Sequence, residues 1–151
     1  MNGPQQFYRY QRRVVYSDCT VGNHVYYSRY LDFLEEARGE FFRNLGIPFL
    51  KLQEQGILFP VIEARLTYKA PARYDDVIVI DVAIKELKRL KLAFTYSIWR
   101  EKTLLLEAET LHVSMNLEEK PSRMPESLAS ILQSAVLPSP DQPAIISLEP
   151  L

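Results

Sequence analysis

The sequence predicts an α+β domain in which a curled antiparallel sheet of about five strands wraps around one long central helix. Three observations carry that reading. One segment alone has a long helical period, with apolar residues at Tyr30, Leu34, Ala37, Phe41 and Leu45. Four segments rich in β-branched and aromatic residues follow it, with no second long helix between them. The connections among those four are short enough for antiparallel neighbours.

The first strand is expected over 7–17, where Phe7, Tyr8, Tyr10, Val14, Val15 and Tyr16 supply strand-forming side chains. A turn over 18–26 is marked by Gly22-Asn23. In the helix that follows, Leu31 and Phe42 widen the apolar stripe, and Asp32, Glu35, Glu36, Glu40 and Arg43 form the other face. Gly46 before Ile47-Pro48 is a stop signal. Gly39, in mid-helix, costs about 1 kcal/mol relative to alanine. That cost points to close approach of another backbone, and so to a central, wrapped helix.

A short helix is expected over 48–55. Strands follow over 57–70, 77–87, 90–101 and 103–116, then a last helix over 125–136 with Leu128, Ile131 and Leu132 as its apolar side. Val77 to Ile80 is apolar on both faces, as in a strand between a helix and a partner. Residues 1–136 read as one domain. From 137 onward the chain reads LPSPDQPAIISLEPL, and prolines at this density break both helix and central strand. The expectation for 137–151 is a mobile or extended tail.

Composition narrows the function. The chain has 151 residues, 47% of them hydrophobic, which suits one domain with a real core. A net charge of −1 gives no long-range attraction to nucleic acid or an anionic membrane. The first residues lack a secretory h-region, and no apolar run approaches a membrane span. One cysteine forms no internal disulfide, and two histidines far apart offer no metal-ligand spacing. The expectation is a cytoplasmic protein without metal or cofactor. Open sheet edges are a liability, and pairing them between two copies makes a homodimer or homotetramer.

The segment Asp18-Cys19-Thr20, Gly22, His24-Val25-Tyr26-Tyr27, Tyr30 and Glu35-Glu36-Ala37-Arg38, followed by FPVIEARLTYKAPARYDD and ETLHVSMN, resembles the hotdog-fold acyl-CoA thioesterases, in their 4-hydroxybenzoyl-CoA thioesterase/YbgC-like branch. The resemblance spans 8–125. It implies hydrolysis of an acyl-CoA or acyl carrier protein thioester to free acid and thiol. It further implies a carboxylate that attacks or activates water, and a backbone N–H at the start of the helix that polarises the carbonyl. The carboxylate's position is Thr20 in this chain, and the helix-start amide falls at Tyr27.

The residues themselves leave the water-activating group open. Thr20 is a poor nucleophile unaided, and is either a turn residue or a hydrogen-bonding group for thioester or water. Asp18, two residues away, faces the same way if the segment is extended; otherwise it is a turn-forming or capping aspartate. His24 is a structural hydrogen-bonder or a general base, since imidazoles ordinarily titrate near ~6.5. Glu63, in the strand after the helix, is a pocket carboxylate or a solvated residue. Cys19 would attack only if exposed and deprotonated. The helix-start amide acts through the backbone, whatever side chain Tyr27 carries. Arg65, Lys69, Arg73, Lys88, Arg89 and Lys91 lie near strand ends, where they would hold phosphates or simply be solvated. With Thr20 where the family has aspartate, the competing reading is a non-hydrolytic acyl-thioester binding protein. A dehydratase, the third reading, usually pairs histidine with a carboxylate in another motif context.

Overall fold

A computed structural model describes residues 7–138. In chain order it contains β1 (Phe7–Arg13), a 3-10 turn (Tyr16–Asp18), β2 (Cys19–Thr20), β3 (His24–Val25), α1 (Arg29–Asn44), α2 (Phe49–Glu54), β4 (Val61–Tyr68), β5 (Val77–Leu87), β6 (Lys91–Arg100), β7 (Thr103–Val113) and α3 (Glu126–Ser134). Five strands form one antiparallel sheet in the order β1-β5-β6-β7-β4. The strands β2 and β3 make a separate two-residue ribbon.

The core lies between α1 and the inner face of the sheet. Tyr30, Phe33, Leu34, Ala37, Phe41 and Phe42 are buried on α1. Opposite them lie Ile78, Ile80, Val82 and Ile84 on β5 and Leu92, Phe94, Tyr96 and Ile98 on β6, all buried. The Phe94 ring stands edge-on to Phe41 at 6.0 Å and to Phe42 at 5.8 Å between centroids. Each fully buried side chain of this size contributes about 1.5–3 kcal/mol of transfer free energy, so α1 is held by its apolar face rather than by helix propensity.

The strand over 77–87 lies where the sequence places it, and the others shorten for local reasons. β1 ends at Arg13 because the Val14 N–H turns to the Asp76 carbonyl, 2.8 Å away, and the Asp18 carboxylate accepts from Val15 N–H at 2.9 Å. β4 begins only at Val61, after a proline without an N–H to give the ladder. Leu58 keeps an isolated bridge to Met115. Leu31 does not widen the buried stripe of α1, being 44% exposed. The centre of β5 is buried on both faces within the single chain, so its double-sided apolar pattern needs no partner. Val136 bridges Ile84, and Leu137 N–H donates to the Ile84 carbonyl at 2.9 Å. The start of the proline-rich segment is therefore tied to β5, and 139–151 lie outside the described residues. Among the described residues, no helix is long and apolar enough to cross a membrane.

Gly39 has a different cause from the one its position suggests. A Cβ there would meet the Phe49 ring at 3.5 Å, a side chain of α2 rather than another backbone, in ordinary van der Waals contact. Gly39→Ala is therefore expected to raise stability by about 0.5–1 kcal/mol through helix propensity. A thermal or denaturant melt checks this, and a lowered midpoint would mean that the Phe49 ring cannot give way.

Candidate active site

The segment between β1 and α1 is built around Asp18. Its carboxylate is buried and accepts from Arg12 Nη2 and from Val15 N–H, both at 2.9 Å. The Arg12 guanidinium also donates to Glu36 and lies 4.2 Å over the Phe33 ring, so the turn is stitched to α1. The Asp18 carbonyl accepts from Tyr26 N–H at 3.1 Å. The chain is not extended at Asp18, and its side chain faces inward while Thr20 is exposed. Asp18→Ala strands the Val15 N–H and one face of the Arg12 guanidinium, and is expected to cost about 2 kcal/mol. Chemical denaturation reads that loss, and a change within ~0.5 kcal/mol would show the anchor to be redundant.

Gly22 at φ +104° and Asn23 at φ +60° turn the chain back on itself. Thr20 and His24 thereby become direct cross-strand partners, as do Cys19 and Val25. Opposed residues on such a rung have Cβ atoms about 4.5–5.5 Å apart. The His24 imidazole lies over Gly22, where a Cβ would be 3.5 Å from Nε2. The 71–76 loop braces the turn from outside. Asn23 Oδ1 accepts from Tyr74 N–H at 3.2 Å, its carbonyl accepts from Arg73 Nη1 at 3.3 Å, and Val25 N–H donates to the Ala72 carbonyl at 2.9 Å.

Helix α1 begins at Arg29, two residues after Tyr27, because a turn precedes it in which Arg29 N–H donates to the Tyr26 carbonyl at 2.9 Å. Across a trans peptide the N–H points opposite to the C=O. The Tyr27 N–H is therefore aimed away from the helix body, and it has no acceptor among the described residues. The Tyr27 carbonyl accepts from the Tyr68 hydroxyl at 2.9 Å.

Glu63 lies elsewhere. Its neighbour Ala64 is paired with Thr110, whose hydroxyl meets Tyr96 and so sits on the α1 side of the sheet. Successive side chains alternate faces, which puts Glu63 on the outer face. There it is 3.5 Å from Arg65 and shares a shallow depression with Lys85, Glu86 and Glu109. Lys88 pairs with Glu86 at 3.1 Å, so two of the strand-end cations already have carboxylate partners. Cys19 is half-buried, and desolvation together with Asp18 and Asp76 pushes its thiol up, away from the nucleophilic thiolate. Among the described residues no group of three or more His, Cys, Asp or Glu could hold a metal.

Sequence reasoning missed a buried polar chain under α1. Arg38 Nη1 donates to Tyr96 Oη at 3.1 Å, Tyr96 Oη meets Thr110 Oγ1 at 2.6 Å, Thr110 Oγ1 meets His112 Nε2 at 2.9 Å, and His112 Nδ1 meets the Phe59 carbonyl at 2.9 Å. A carbonyl only accepts, so Nδ1 carries the proton and Nε2 accepts from Thr110. Every donor then has one acceptor in sequence. Burial, with Arg38 adding to it, pulls His112 down to about 4. The signal was available, since Thr110 and His112 continue the face that Leu106 and Ala108 begin, an otherwise apolar strand face.

A five-stranded antiparallel sheet wrapped on one long helix is the hotdog arrangement, shared with thioesterases of known structure. A family model described as the thioesterase-like superfamily matches residues 14–132. The acyl-CoA thioester hydrolase YbgC of Escherichia coli is 36% identical over 125 residues, which cover 82% of this chain and 93% of that protein. The structure of a hypothetical protein from Thermus thermophilus matches with a TM-score of 0.83 at 32% identity, covering 87% of this chain and 99% of that one. A 4-hydroxybenzoyl CoA thioesterase mutant complexed with 4-hydroxybenzoyl CoA matches with a TM-score of 0.76 at 25% identity, covering 84% and 99%. The chain belongs to the thioesterase-like superfamily, and it is a thioester hydrolase.

Proposed function

We propose that this protein hydrolyses acyl-CoA thioesters, with His24 as the general base for water, Thr20 orienting that water and the Tyr27 N–H holding the oxyanion. One observation carries the reading: Thr20 and His24 share a rung of the β2–β3 ribbon that leads into the unpaired Tyr27 amide. The water oxygen attacks the thioester carbonyl carbon and His24 takes the proton. The negative charge collects on the carbonyl oxygen, where a positioned N–H and the positive end of α1 stabilise it. When the C–S bond breaks, the imidazolium returns the proton to the thiolate. The products are a carboxylic acid and coenzyme A.

In this reading Asp18 is the anchor of the turn, since both described contacts of its carboxylate are to Arg12 and Val15. Glu63 belongs to the outer-face charge cluster. Arg73, bonded beside His24 through the Asn23 carbonyl, is the cation best situated for a coenzyme phosphate. The relatives named for acyl-CoA substrates favour coenzyme A over a carrier protein.

We further propose a homodimer paired through β4. Seven of the eight β4 residues are exposed, including Val61 and Ile62, at an edge of the sheet. A bare strand of that length ordinarily pairs. Light scattering is expected to give twice the chain mass of 17.5 kDa.

Thiol release from benzoyl-, phenylacetyl-, short- and long-chain acyl-CoAs tests the catalytic reading, with His24→Ala, Asp18→Asn and Glu63→Gln beside the wild type. Turnover lost in His24→Ala and kept in Glu63→Gln supports it, and the reverse pattern moves the base to the outer face. Tight acyl-CoA binding with no turnover by the wild type would replace hydrolysis with the binding-protein reading.

A further inference from the structure

We propose that Tyr68 is a positioning residue for the oxyanion-binding amide of Tyr27, an inference that rests on the role given above to that amide. Tyr27 and Ser28 lie between the last bond of the ribbon segment, Tyr26 N–H to the Asp18 carbonyl, and the first bonds of the helix. Two peptide planes meet at the Tyr27 Cα. The one before it is held by Arg29 N–H on the Tyr26 carbonyl at 2.9 Å. The one after it is held by the Tyr68 hydroxyl, the donor that reaches this two-residue stretch from the sheet.

The Tyr27 side chain does little to fix the turn, being 62% exposed and packed on Tyr26 with ring centroids 4.7 Å apart. Tyr68, by contrast, is mounted on the end of β4 opposite Leu106, and its ring stands edge-on to Tyr30 at 5.5 Å. The Tyr30 ring is buried and T-stacked on Phe33, and its hydroxyl accepts from Ala72 N–H at 3.1 Å. A rigid arm from the sheet thus sets the carbonyl of an otherwise exposed turn. Partial burial, with Tyr30 and Tyr27 adding to it, pushes the Tyr68 phenol up, which keeps it in the protonated form that donates.

An oxyanion donor accelerates reaction to the extent that it is aimed before charge develops. A donor left on a rocking turn retains substrate binding and loses transition-state stabilisation. Tyr68→Phe keeps the ring on Tyr30 and removes the hydroxyl alone. The expected result is a fall in kcat of about 10-fold with KM within about 2-fold, an unchanged pH profile and a melting temperature within about 2 °C of wild type.

A second readout does not depend on turnover. Nuclear relaxation of the Tyr27 and Ser28 amides is expected to show added motion in Tyr68→Phe, with the amides of α1 unchanged. Amides as rigid as in the wild type would overturn the proposal, as would an unchanged kcat or a kcat that falls only in step with stability. A wild type with no activity on any acyl-CoA would instead refute the hydrolytic reading, and the amide relaxation would still decide whether the Tyr68 hydroxyl holds the turn.

Discussion

His24→Ala is expected to lower kcat for acyl-CoA hydrolysis by about 100-fold, the lower end of what a positioned general base contributes, with KM nearly unchanged. The loss falls on kcat because the imidazole acts on the attacking water rather than on the coenzyme or acyl chain. The ribbon geometry supplies a sharper form of the test. Because Thr20 is the cross-strand partner of His24, a carboxylate introduced by Thr20→Asp would stand over the same water. In the His24→Ala background, Thr20→Asp is expected to recover at least 10-fold of the lost rate, about 1.4 kcal/mol of barrier. Full turnover in His24→Ala would sink the assignment, and a rate raised above it by Thr20→Asp would then make position 20 the site of water activation.

The order of elements was legible because burial imposes period. Tyr30, Leu34, Ala37 and Phe41 repeat at helical spacing since α1 has one buried side, and the strand over 77–87 stood out because Val77 to Ile80 is apolar on both faces. Residues whose behaviour is set by partners distant in sequence were not legible. Leu31 fits the apolar stripe but is left 44% exposed by the described residues. Gly39 looked like a backbone crossing and instead faces the Phe49 ring, a contact that depends on how α2 folds back.

The candidate site divides along the same line. Composition and the Gly22-Asn23 signal located the turn, yet the short ribbon inside it requires positive φ at two successive residues and bracing from Arg73 and Tyr74, some 50 positions away in the chain. That ribbon, rather than extended chain, is what sets Thr20 beside His24 and turns Asp18 inward to Arg12. Glu63 could be assigned a face only after the pairing of Ala64 with Thr110 was known.

Acid should weaken this fold through His112, and the sign follows from where its proton cannot go. In the folded protein His112 Nδ1–H donates to the Phe59 carbonyl and Nε2 accepts from Thr110. Protonating Nε2 would remove that acceptor and bury a cation with Arg38 at the far end of the same chain, which is why the group sits at about 4 rather than its ordinary 6.5. Above the unfolded value both states are neutral and the stabilisation is whole. Below it the unfolded chain takes a proton that the folded chain refuses, so stability falls with pH until the folded value is reached. Between pH ~7.5 and ~4.5 this single group is expected to remove roughly 2–3 kcal/mol. Carboxylates titrate in the same range, so the comparison needs a variant that keeps the hydrogen bonds and loses the titration. His112→Gln does so, because its amide N–H₂ can donate to Phe59 and its oxygen can accept from Thr110. At matched protein concentration, the stability of wild type relative to His112→Gln should fall by that amount as the pH drops from ~7.5 to ~4.5. A stability difference that stays constant across this range would mean that the folded state accepts the proton, and the directional chain from Arg38 to Phe59 would have to be redrawn.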